Sequence, residues 1–429
     1  MNSLRKISVT GLGYVGLTIA IAFSSIQKVI GYDLNKKRIK ELQDGHDIND
    51  EISENILRKA NIFYTSNPKE LIKADFHIVA VSTPLSINNK PDFSMLLSAS
   101  KTLGENLKRA DLVVYESSVF PGVTEEKCIP ALESTSKLIC GRDFAVGYSP
   151  ERVNPADKTH RLDNIIKIIA ATDPQALEII ATVYNTIIKA GLHRVSTIRI
   201  AEASKIVENI QRDVNISFVN EIALILHAIG MDSVEVLKAA QTKWNFLPFK
   251  PGLVGGHCIG VNAYYLLKKA DEAGFKSEVI RAVRKVNEYI PEFIALETKK
   301  KLSSLGVAIK NAKIAILGIT YKENCSILQD SKVIELIKEL AVCGPEIITV
   351  HDPYANPQIA KKEYEIELRN LDEIVNFDVL IIAVAHKYYT TLKAEYIKKI
   401  IRRPGLIMDI KGILNPIDFV DQDLYLWRL

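Results

Sequence analysis

Short apolar runs alternate with amphipathic segments along the first half of the chain. Residues 7–10 (ISVT) are typical of a buried strand, and similar runs recur in VIGYD, FHIVAVSTP and DLVVYESSV, with segments such as KKRIKELQDG between them. Strands that alternate with helices are joined by right-handed crossovers into a parallel sheet covered on both faces. The pattern therefore predicts an α/β fold that starts with a strand, a tight glycine turn and a helix from about Tyr14 to Ser25.

A longer helical pattern covers residues 201–229, AEASKIVENIQRDVNISFVNEIALILHAI, without proline or glycine. Because it is apolar on most faces, we expect it to be buried, to connect two α/β halves and to form the contact of a homodimer. From Asn311 the strand pattern returns in AKIAILGITYK, EIITVHDPYA, FDVLIIAVAH and LIMDIKGI. The sequence thus predicts two Rossmann-like, doubly wound parallel-sheet domains joined by a long central helix, with domains at residues 1–200, 201–300 and 301–429.

Composition limits the classes of function. A length of 429 residues exceeds the ~250 to 300 at which a single core stops growing. The formal net charge of +4 is spread along the chain, which argues against nucleic-acid binding. The five cysteines and eight histidines show no metal-ligand spacing, so we expect no metal and a reducing, cytoplasmic location. No apolar run reaches the ~18 residues of a membrane span, so membrane insertion is not expected.

The loop after the first strand has the spacing of a dinucleotide-binding site. Gly11, Gly13 and Gly16 form G-x-G-x-x-G, which allows a tight turn, close approach of a pyrophosphate and packing of helix on strand. Asp33 ends the next strand, where a carboxylate would bind both ribose hydroxyls and repel a 2′-phosphate, so NAD is favoured over NADP. Arg38 could cover the adenosine, with a solvated arginine as the alternative. The expected cofactor contacts in this region are Gly11, Leu12, Gly13, Tyr14, Val15, Gly16, Asp33 and Arg38.

Three polar residues share one face of the long helix. Lys205, Asn209 and Arg212 lie at i, i+4 and i+7. Such a stripe ordinarily faces solvent, but among apolar neighbours it needs a buried or cleft-facing partner. A lysine in a cleft can act as a base or orient a water molecule.

Polar residues also follow several predicted strands. Glu151 and Arg152 come just after one strand, Ser118 after another and Thr83 after a third. In an open α/β sheet, ligands bind at the carboxyl ends of the strands. Each residue alone is as typical of a cap or turn, but together they are expected to surround one crevice.

Cys258 follows two glycines and a histidine in GGHC. A lone cysteine is more often a buried structural residue. The paired glycines, however, allow a ligand or backbone to come close to the thiol. A nucleophile beside NAD suggests hydride chemistry on a covalent adduct.

In this order, these residues resemble the nucleotide-sugar 6-dehydrogenase family, which includes UDP-glucose and UDP-N-acetylhexosamine dehydrogenases. The resemblance covers essentially the whole chain, and its motifs are GLGYVG, YD, TP, SPER-x-NP, E-N-x-Q-R-D-x-N-I, KWNFLPFKPGLVGGHCIGV and ITYKENC. The later motifs are most similar to the branch that acts on UDP-N-acetylglucosamine or its galacto epimer to supply surface polysaccharide precursors.

The resemblance implies oxidation of a C6 alcohol to a carboxylate in two hydride steps that consume two NAD. Cys258 would capture the intermediate aldehyde as a thiohemiacetal, which becomes a thioester and is released by water. Lys205 would stabilise or protonate the C6 oxygen, Asn209 would help to hold it, and Glu151 would act through water as base. Thr83 and Ser118 would line the nicotinamide. The implied sugar-nucleotide contacts are Arg152, Val153, Lys205, Asn209, Arg212, Gly255, Tyr321 and Lys322.

Two departures from the family pattern concern turnover. Asn262 stands where the family has an aspartate credited with activating water, and an amide cannot accept a proton as a base. Gln329 stands where the family has an arginine that contacts the cofactor. Both changes favour a slower enzyme, so a weakened relative that binds NAD and a UDP-sugar without efficient turnover is the alternative function. A 3-hydroxyacid-type dehydrogenase is disfavoured, because it would need neither Cys258 nor a second nucleotide domain.

Overall fold

The computed structural model describes residues 5–48, 52–86, 90–153, 159–420 and 423–429, apart from the side chains of residues 257 and 258. The chain forms two compact units. The first unit comprises Met1–Asn209 and Tyr264–Phe275, and the second comprises Ile210–Ala263 and Lys276–Leu429. The chain therefore passes twice from the first unit to the second. The division into three domains at residues 1–200, 201–300 and 301–429 stays a prediction.

The first unit is an α/β domain. Its strands are β1 (Ile7–Thr10), β2 (Val29–Tyr32), β3 (Ile62–Thr65), β4 (Phe76–Val79), β5 (Leu112–Tyr115), β6 (Ala145–Tyr148), β7 (Lys167–Ala171) and β8 (Leu192–Arg194). Its helices are α1 (Tyr14–Ser24), α2 (Lys36–Gln43), α3 (Glu54–Lys59), α4 (Ser94–Gly104), α5 (Ile129–Ser136) and α6 (Pro174–Tyr184). The sheet order is β3-β2-β1-β4-β5-β6-β7-β8. Pairing is parallel, as the pattern predicts, except between β6 and β7, which run antiparallel.

The first strand and helix are those that the sequence predicts. All four residues of β1 are buried, as in a strand covered on both faces. Helix α1 begins after Gly13 and buries Leu17, Ile19, Ala20 and Phe23 against the sheet. The carboxyl ends of β1, β4 and β5 consequently lie side by side at one edge of the sheet.

The second unit carries a smaller sheet. Its strands are β9 (Lys313–Leu317), β10 (Ile347–His351), β11 (Phe377–Ile382), β12 (Ile401–Asp409) and β13 (Leu424–Arg428), in the order β10-β9-β11-β12-β13, and all neighbouring strands are parallel. The remaining helices are α7 (Ile198–Ala228), α8 (Ser233–Ala240), α9 (His257–Glu272), α10 (Val279–Ser304), α11 (Lys332–Val342), α12 (Pro357–Tyr364), α13 (Lys387–Thr390) and α14 (Ala394–Ile400). Of these, α7 and α9 each contribute residues to both units.

The two sheets repeat one local design, as the sequence predicts. In the first unit, Gly11 (φ +89°) follows β1 and the Leu12 amide donates to the Asp33 carboxylate. In the second unit, Gly318 (φ +91°) follows β9 and the Ile319 amide donates to Asp352 at 2.7 Å. In both turns, the glycine adopts the left-handed backbone conformation. An aspartate after the neighbouring strand accepts a hydrogen bond from the next amide and so holds the turn in place.

The long helix α7 has 31 residues and begins three residues earlier than expected. The expectation that it is buried was only partly right. The exposed fractions of Val207, Phe218 and Ile225 are 59%, 55% and 51%. Some of the apolar side chains of α7 therefore lie on faces that the described part of the chain leaves exposed. No helix within the described residues is both long and apolar enough to cross a membrane.

Candidate active site

The glycine loop between β1 and α1 has the geometry of a phosphate-binding turn. A Cβ on Gly16 would lie 1.8 Å from the Gly11 carbonyl oxygen, so the helix packs directly on the turn. Gly13, in contrast, is exposed, and a Cβ there would meet no atom of the chain within 4 Å. Gly13 is also the N-cap of α1, has no side-chain cap, and is followed by a first turn without acidic residues. This helix N-terminus therefore suits the pyrophosphate of a dinucleotide.

Asp33 is held by the backbone at the end of β2. Its Oδ2 accepts from the Leu12 amide at 2.8 Å, and its Oδ1 accepts from the Asn35 amide at 2.8 Å. A carboxylate oxygen has a second lone pair, so both oxygens can still accept from ribose hydroxyls. The fixed carboxylate therefore suits NAD. In NADP, the 2′-phosphate would be repelled by the negative charge of Asp33.

Arg38 supports the glycine loop from α2. Its exposed fraction is only 7%, its Nε donates to the Leu12 carbonyl at 3.0 Å, and its guanidinium lies 2.8 Å from the Asp47 carboxylate. Its Nη1 donates no hydrogen bond to any described residue. The alternative of a solvated arginine is therefore wrong, and a cofactor contact through Nη1 stays a prediction.

Thr83 and Ser118 are brought together at the ends of β4 and β5. Thr83 Oγ1 donates to the Ser118 carbonyl at 2.6 Å, and Thr83 is almost fully buried. The Thr83 carbonyl accepts a hydrogen bond from the hydroxyl of Tyr265 in α9. The tyrosine is an orienting residue that sequence reasoning missed, because only the fold brings it to this strand end.

Glu151 lies in a buried network just after β6. Its Oε1 accepts from the Arg152 and Val153 amides, both at 2.6 Å. Its Oε2 accepts no hydrogen bond from a described residue and lies 3.5 Å from the Lys167 ammonium. Lys167 in turn lies 2.6 Å from Glu116, and neither residue was predicted to belong to the site. The rest of the SPERVNP motif, from Asn154, falls outside the described residues.

Lys205 and Asn209 face the same part of the first unit. Lys205 is 7% exposed, and its ammonium lies 3.6 Å from Glu208, which also accepts from Arg152 Nε at 3.0 Å. The buried side-chain nitrogen of Asn209 has no hydrogen-bond partner among the described residues. Glu208 was missed, although its i+3 spacing from Lys205 is a signal for such a pair.

Neither of the paired glycines before Cys258 leaves room for a side chain, because other residues of the protein lie too close. A Cβ on Gly255 would lie 2.5 Å from the Asp330 carbonyl oxygen, and one on Gly256 would lie 2.5 Å from the Tyr321 ring. Gly256 also has φ +89°. Lys322 sits over the Tyr321 ring, 5.5 Å from its centroid. The glycine loop and the predicted sugar-nucleotide residues Tyr321 and Lys322 are therefore packed together in the second unit.

Two other cations of the second unit act on the charge of Lys411. Burial lowers the pKa of Lys411; Glu323 raises it, and Lys250 and Arg212 lower it further. Arg212 is exposed, unlike Lys205 on the same predicted face of the helix. Sequence reasoning missed Lys250 and Lys411 as site candidates. Lysine and arginine side chains in one region are suited to binding a diphosphate.

The remaining predicted residues are in the second unit. Cys258 falls in the first turn of α9, and its side chain lies outside the described part of the structure. Asn262, one turn further along α9, is 1% exposed. Gln329 is exposed, in the segment before α11. Their catalytic and cofactor roles stay predictions.

Profiles of three protein domains match the chain in succession. They describe the UDP-glucose/GDP-mannose dehydrogenase family: its NAD binding domain at residues 5–188, its central domain at residues 199–289 and its UDP binding domain at residues 315–416. The chain belongs to this family. Its cofactor is NAD, and its class is that of the NAD-dependent nucleotide-sugar dehydrogenases, as the resemblance implies.

Individual relatives extend along almost the whole chain. Protein CapL of Staphylococcus aureus is 48% identical over 425 residues, which cover 99% of this chain and 100% of CapL. A UDP-N-acetyl-D-glucosamine 6-dehydrogenase of Pseudomonas aeruginosa is 41% identical over 411 residues, which cover 96% and 97% of the two chains. The solved structure of a UDP-D-ManNAc dehydrogenase from Pyrococcus horikoshii matches with a TM-score of 0.88 at 30% identity, over 99% of this chain and 98% of that chain. The predicted fold class is confirmed.

Proposed function

We propose that the protein catalyses the NAD-dependent, four-electron oxidation of C6 of a UDP-N-acetylhexosamine to the uronic acid, in the cytoplasm, for surface polysaccharide synthesis. The observation that carries the substrate choice is the full-length similarity to a dehydrogenase named for UDP-N-acetylglucosamine, which is closer than that to the structure named for the manno epimer. UDP-N-acetylgalactosamine is the second substrate to test. The exposed N-terminus of α1 and the fixed Asp33 carboxylate support the use of NAD.

In this reaction NAD, when bound, accepts a hydride from C6 in each of two successive steps. The Lys205 ammonium stabilises the C6 oxygen, whose proton passes through water to Glu151 and on to solvent. The Asn209 side-chain nitrogen donates a hydrogen bond to the same oxygen. The Cys258 sulfur forms a bond to the aldehyde carbon while the carbonyl oxygen gains a proton, which gives a thiohemiacetal. Loss of a second hydride and of the hydroxyl proton leaves a thioester. Glu151 then takes a proton from water, which attacks the thioester, breaks the C–S bond and returns the thiol.

The second unit supplies the sugar-nucleotide contacts in this proposal. Lys250 and Arg212 each disfavour the charge on Lys411, and a diphosphate would relieve that repulsion. Tyr321 and Lys322 would complete the nucleotide site beside the loop at Gly255.

A homodimer formed through α7 belongs to the same proposal. Support comes from the exposed apolar side chains Val207, Phe218 and Ile225, which a second copy of the helix would cover. Light scattering of the purified protein tests this point, and the mass of a single chain would contradict it.

A second candidate function is binding of NAD and a UDP-sugar without efficient turnover. The observation that favours it is Asn262, a buried amide in the helix of Cys258 where the family pattern has a carboxylate. Loss of one acid–base group typically slows the affected step by ~10² to 10⁴. In that case Asn262→Asp should raise turnover, and a sugar thioester on Cys258 should accumulate in the unchanged protein.

The deciding experiment is incubation of the purified protein with NAD and, separately, UDP-N-acetylglucosamine, UDP-N-acetylgalactosamine and UDP-glucose. Two NADH should form for each uronic acid detected by mass spectrometry, most rapidly with an N-acetylhexosamine. If none of the three sugars produces NADH, the proposed activity is wrong. Tight binding of a UDP-sugar by calorimetry in the absence of NADH would support the second candidate.

A further inference from the structure

A buried ion pair lies behind the predicted base of the first unit. Glu116, which follows β5, and Lys167, which begins β7, have side-chain exposures of 0% and 3% and an O–N distance of 2.6 Å. The other carboxylate oxygen of Glu116 accepts a hydrogen bond from the hydroxyl of Tyr184, in α6. Glu116 is 51 positions from Lys167 and 68 from Tyr184 in sequence, so only the fold brings it to them.

The same lysine also contacts Glu151. Its ammonium lies 2.6 Å from Glu116 and 3.5 Å from Glu151, so the two carboxylates are at most about 6 Å apart. Glu151 Oε1 is fixed by two backbone amides, whereas its Oε2 faces the lysine at the longer distance. Two buried carboxylates therefore compete for one ammonium group, and Glu116 has the shorter contact.

The charge balance of this network depends on Glu116. Burial raises the pKa of Glu116, the Lys167 ammonium opposes this rise, and the Glu151 charge adds to it. The two glutamates in turn raise the pKa of Lys167, although its burial acts in the opposite direction. The other polar groups around the network are the hydroxyls of Tyr184 and Tyr148, and, on the Glu151 side, Arg152 with its partner Glu208.

We propose that Glu116 is a positioning residue for this reaction: by holding Lys167 at the shorter distance, it leaves Glu151 Oε2 free to accept a proton from water. The inference rests on the role proposed above for Glu151. If Glu116 did not hold the lysine, Lys167 could move onto Glu151 and stabilise its charged form, which would make Glu151 a weaker base. Within the described part of the chain, Glu116 and Glu151 are the carboxylates that form ion pairs with Lys167.

Two substitutions should act in opposite directions. Glu116→Gln keeps the shape and a hydrogen-bonding group but removes the competing charge, so the acid limb of the pH–kcat profile should move down by about one pH unit. At the plateau, kcat should fall ~3-fold with little change in KM, since general-base catalysis weakens with basicity. Lys167→Met removes the cation, so Glu151 should be protonated more easily and the acid limb should move up. Lys167→Arg keeps the charge and should restore a profile close to that of the unchanged protein.

A matched control is Glu178→Gln, which breaks an exposed ion pair with Arg194 (3.0 Å) in the same unit and should leave the acid limb in place. The inference would be overturned if Glu116→Gln lost activity without movement of the acid limb. It would also be overturned if the limb moved in the same direction in Glu116→Gln and Lys167→Met. A role in stability alone would lower kcat in both variants without these opposite shifts.

A second readout does not require turnover. Infrared difference spectra against pH detect the C=O stretch of buried carboxylic acids, and the band abolished by Glu151→Gln reports Glu151. This band should titrate at lower pH in Glu116→Gln and at higher pH in Lys167→Met. If the band shifts in this way while no UDP-sugar yields NADH, the inference that Glu116 and Glu151 compete for Lys167 is supported. The proposed function is then wrong. If NADH forms but neither the band nor the acid limb shifts, the inference about Glu116 fails alone.

Discussion

Alanine substitutions at Gly13 and Gly16 should separate cofactor binding from folding within one loop. At Gly16 the new Cβ would lie 1.8 Å from the Gly11 carbonyl oxygen, so α1 or the turn must move by more than 1 Å. Overpacking of this kind costs about 1 to 3 kcal/mol, and each kcal/mol lowers the Tm of a domain of 150 to 250 residues by about 2 to 4 °C. Gly16→Ala should therefore lose several degrees of Tm as well as NAD affinity.

At Gly13 the same methyl group meets no atom of the chain, so the fold should tolerate it. It would instead stand where a pyrophosphate approaches the N-terminus of α1, and a tenfold loss of NAD affinity corresponds to only about 1.4 kcal/mol. We expect Gly13→Ala to keep the Tm within about 2 °C and to bind NAD at least ~10-fold more weakly. Thermal melting without NAD and calorimetric titration with NAD measure the two quantities. Equal NAD affinity in Gly13→Ala and the unchanged protein, or an unchanged Tm in Gly16→Ala, would refute the assignment of this loop.

Two further predictions concern other charged groups. Asp33→Asn should keep the hydrogen bond from the Leu12 amide and the fold, but should weaken NAD binding ~10-fold and improve binding of NADP, because the repulsion of a 2′-phosphate is gone; titration with both cofactors checks this. Lys411→Met should raise the Kd for UDP ~10- to 100-fold, the cost of one charge-assisted contact, with NAD affinity unchanged; equal losses for both ligands would contradict it.

Features of the site that are encoded locally could be predicted from the sequence. Strand β1, helix α1 and the glycine turn follow from residues that are neighbours along the chain, so apolar periodicity and glycine spacing indicate them directly. Asp33 could be placed because a βαβ unit has a nearly fixed length. The second sheet was found in the same way, from its repeated strand pattern.

Features that depend on tertiary pairing could not be predicted. Nothing near Arg38 indicates its pairing with Asp47, and the antiparallel pairing of β6 with β7 has no signal of its own. Lys167 is one polar residue at the start of an apolar strand, where a solvent-facing lysine is the ordinary interpretation. The exposure of Arg212 could not be predicted, because periodicity gives the face of a helix but not what covers that face.

The hydrogen bond from Tyr265 to Thr83 also bears on how the protein is made. The two residues are 182 positions apart, and the segment Tyr264–Phe275 that completes the first unit is synthesised after residues 210–263 of the second. A ribosome that has released only the first 209 residues has thus produced an incomplete cofactor domain, with Thr83 not yet held by its tyrosine. Domains usually fold as units in the order of synthesis. Here the first unit cannot be completed until part of the second has been synthesised. A chain truncated before residue 264 should therefore remain aggregation-prone and dependent on chaperones.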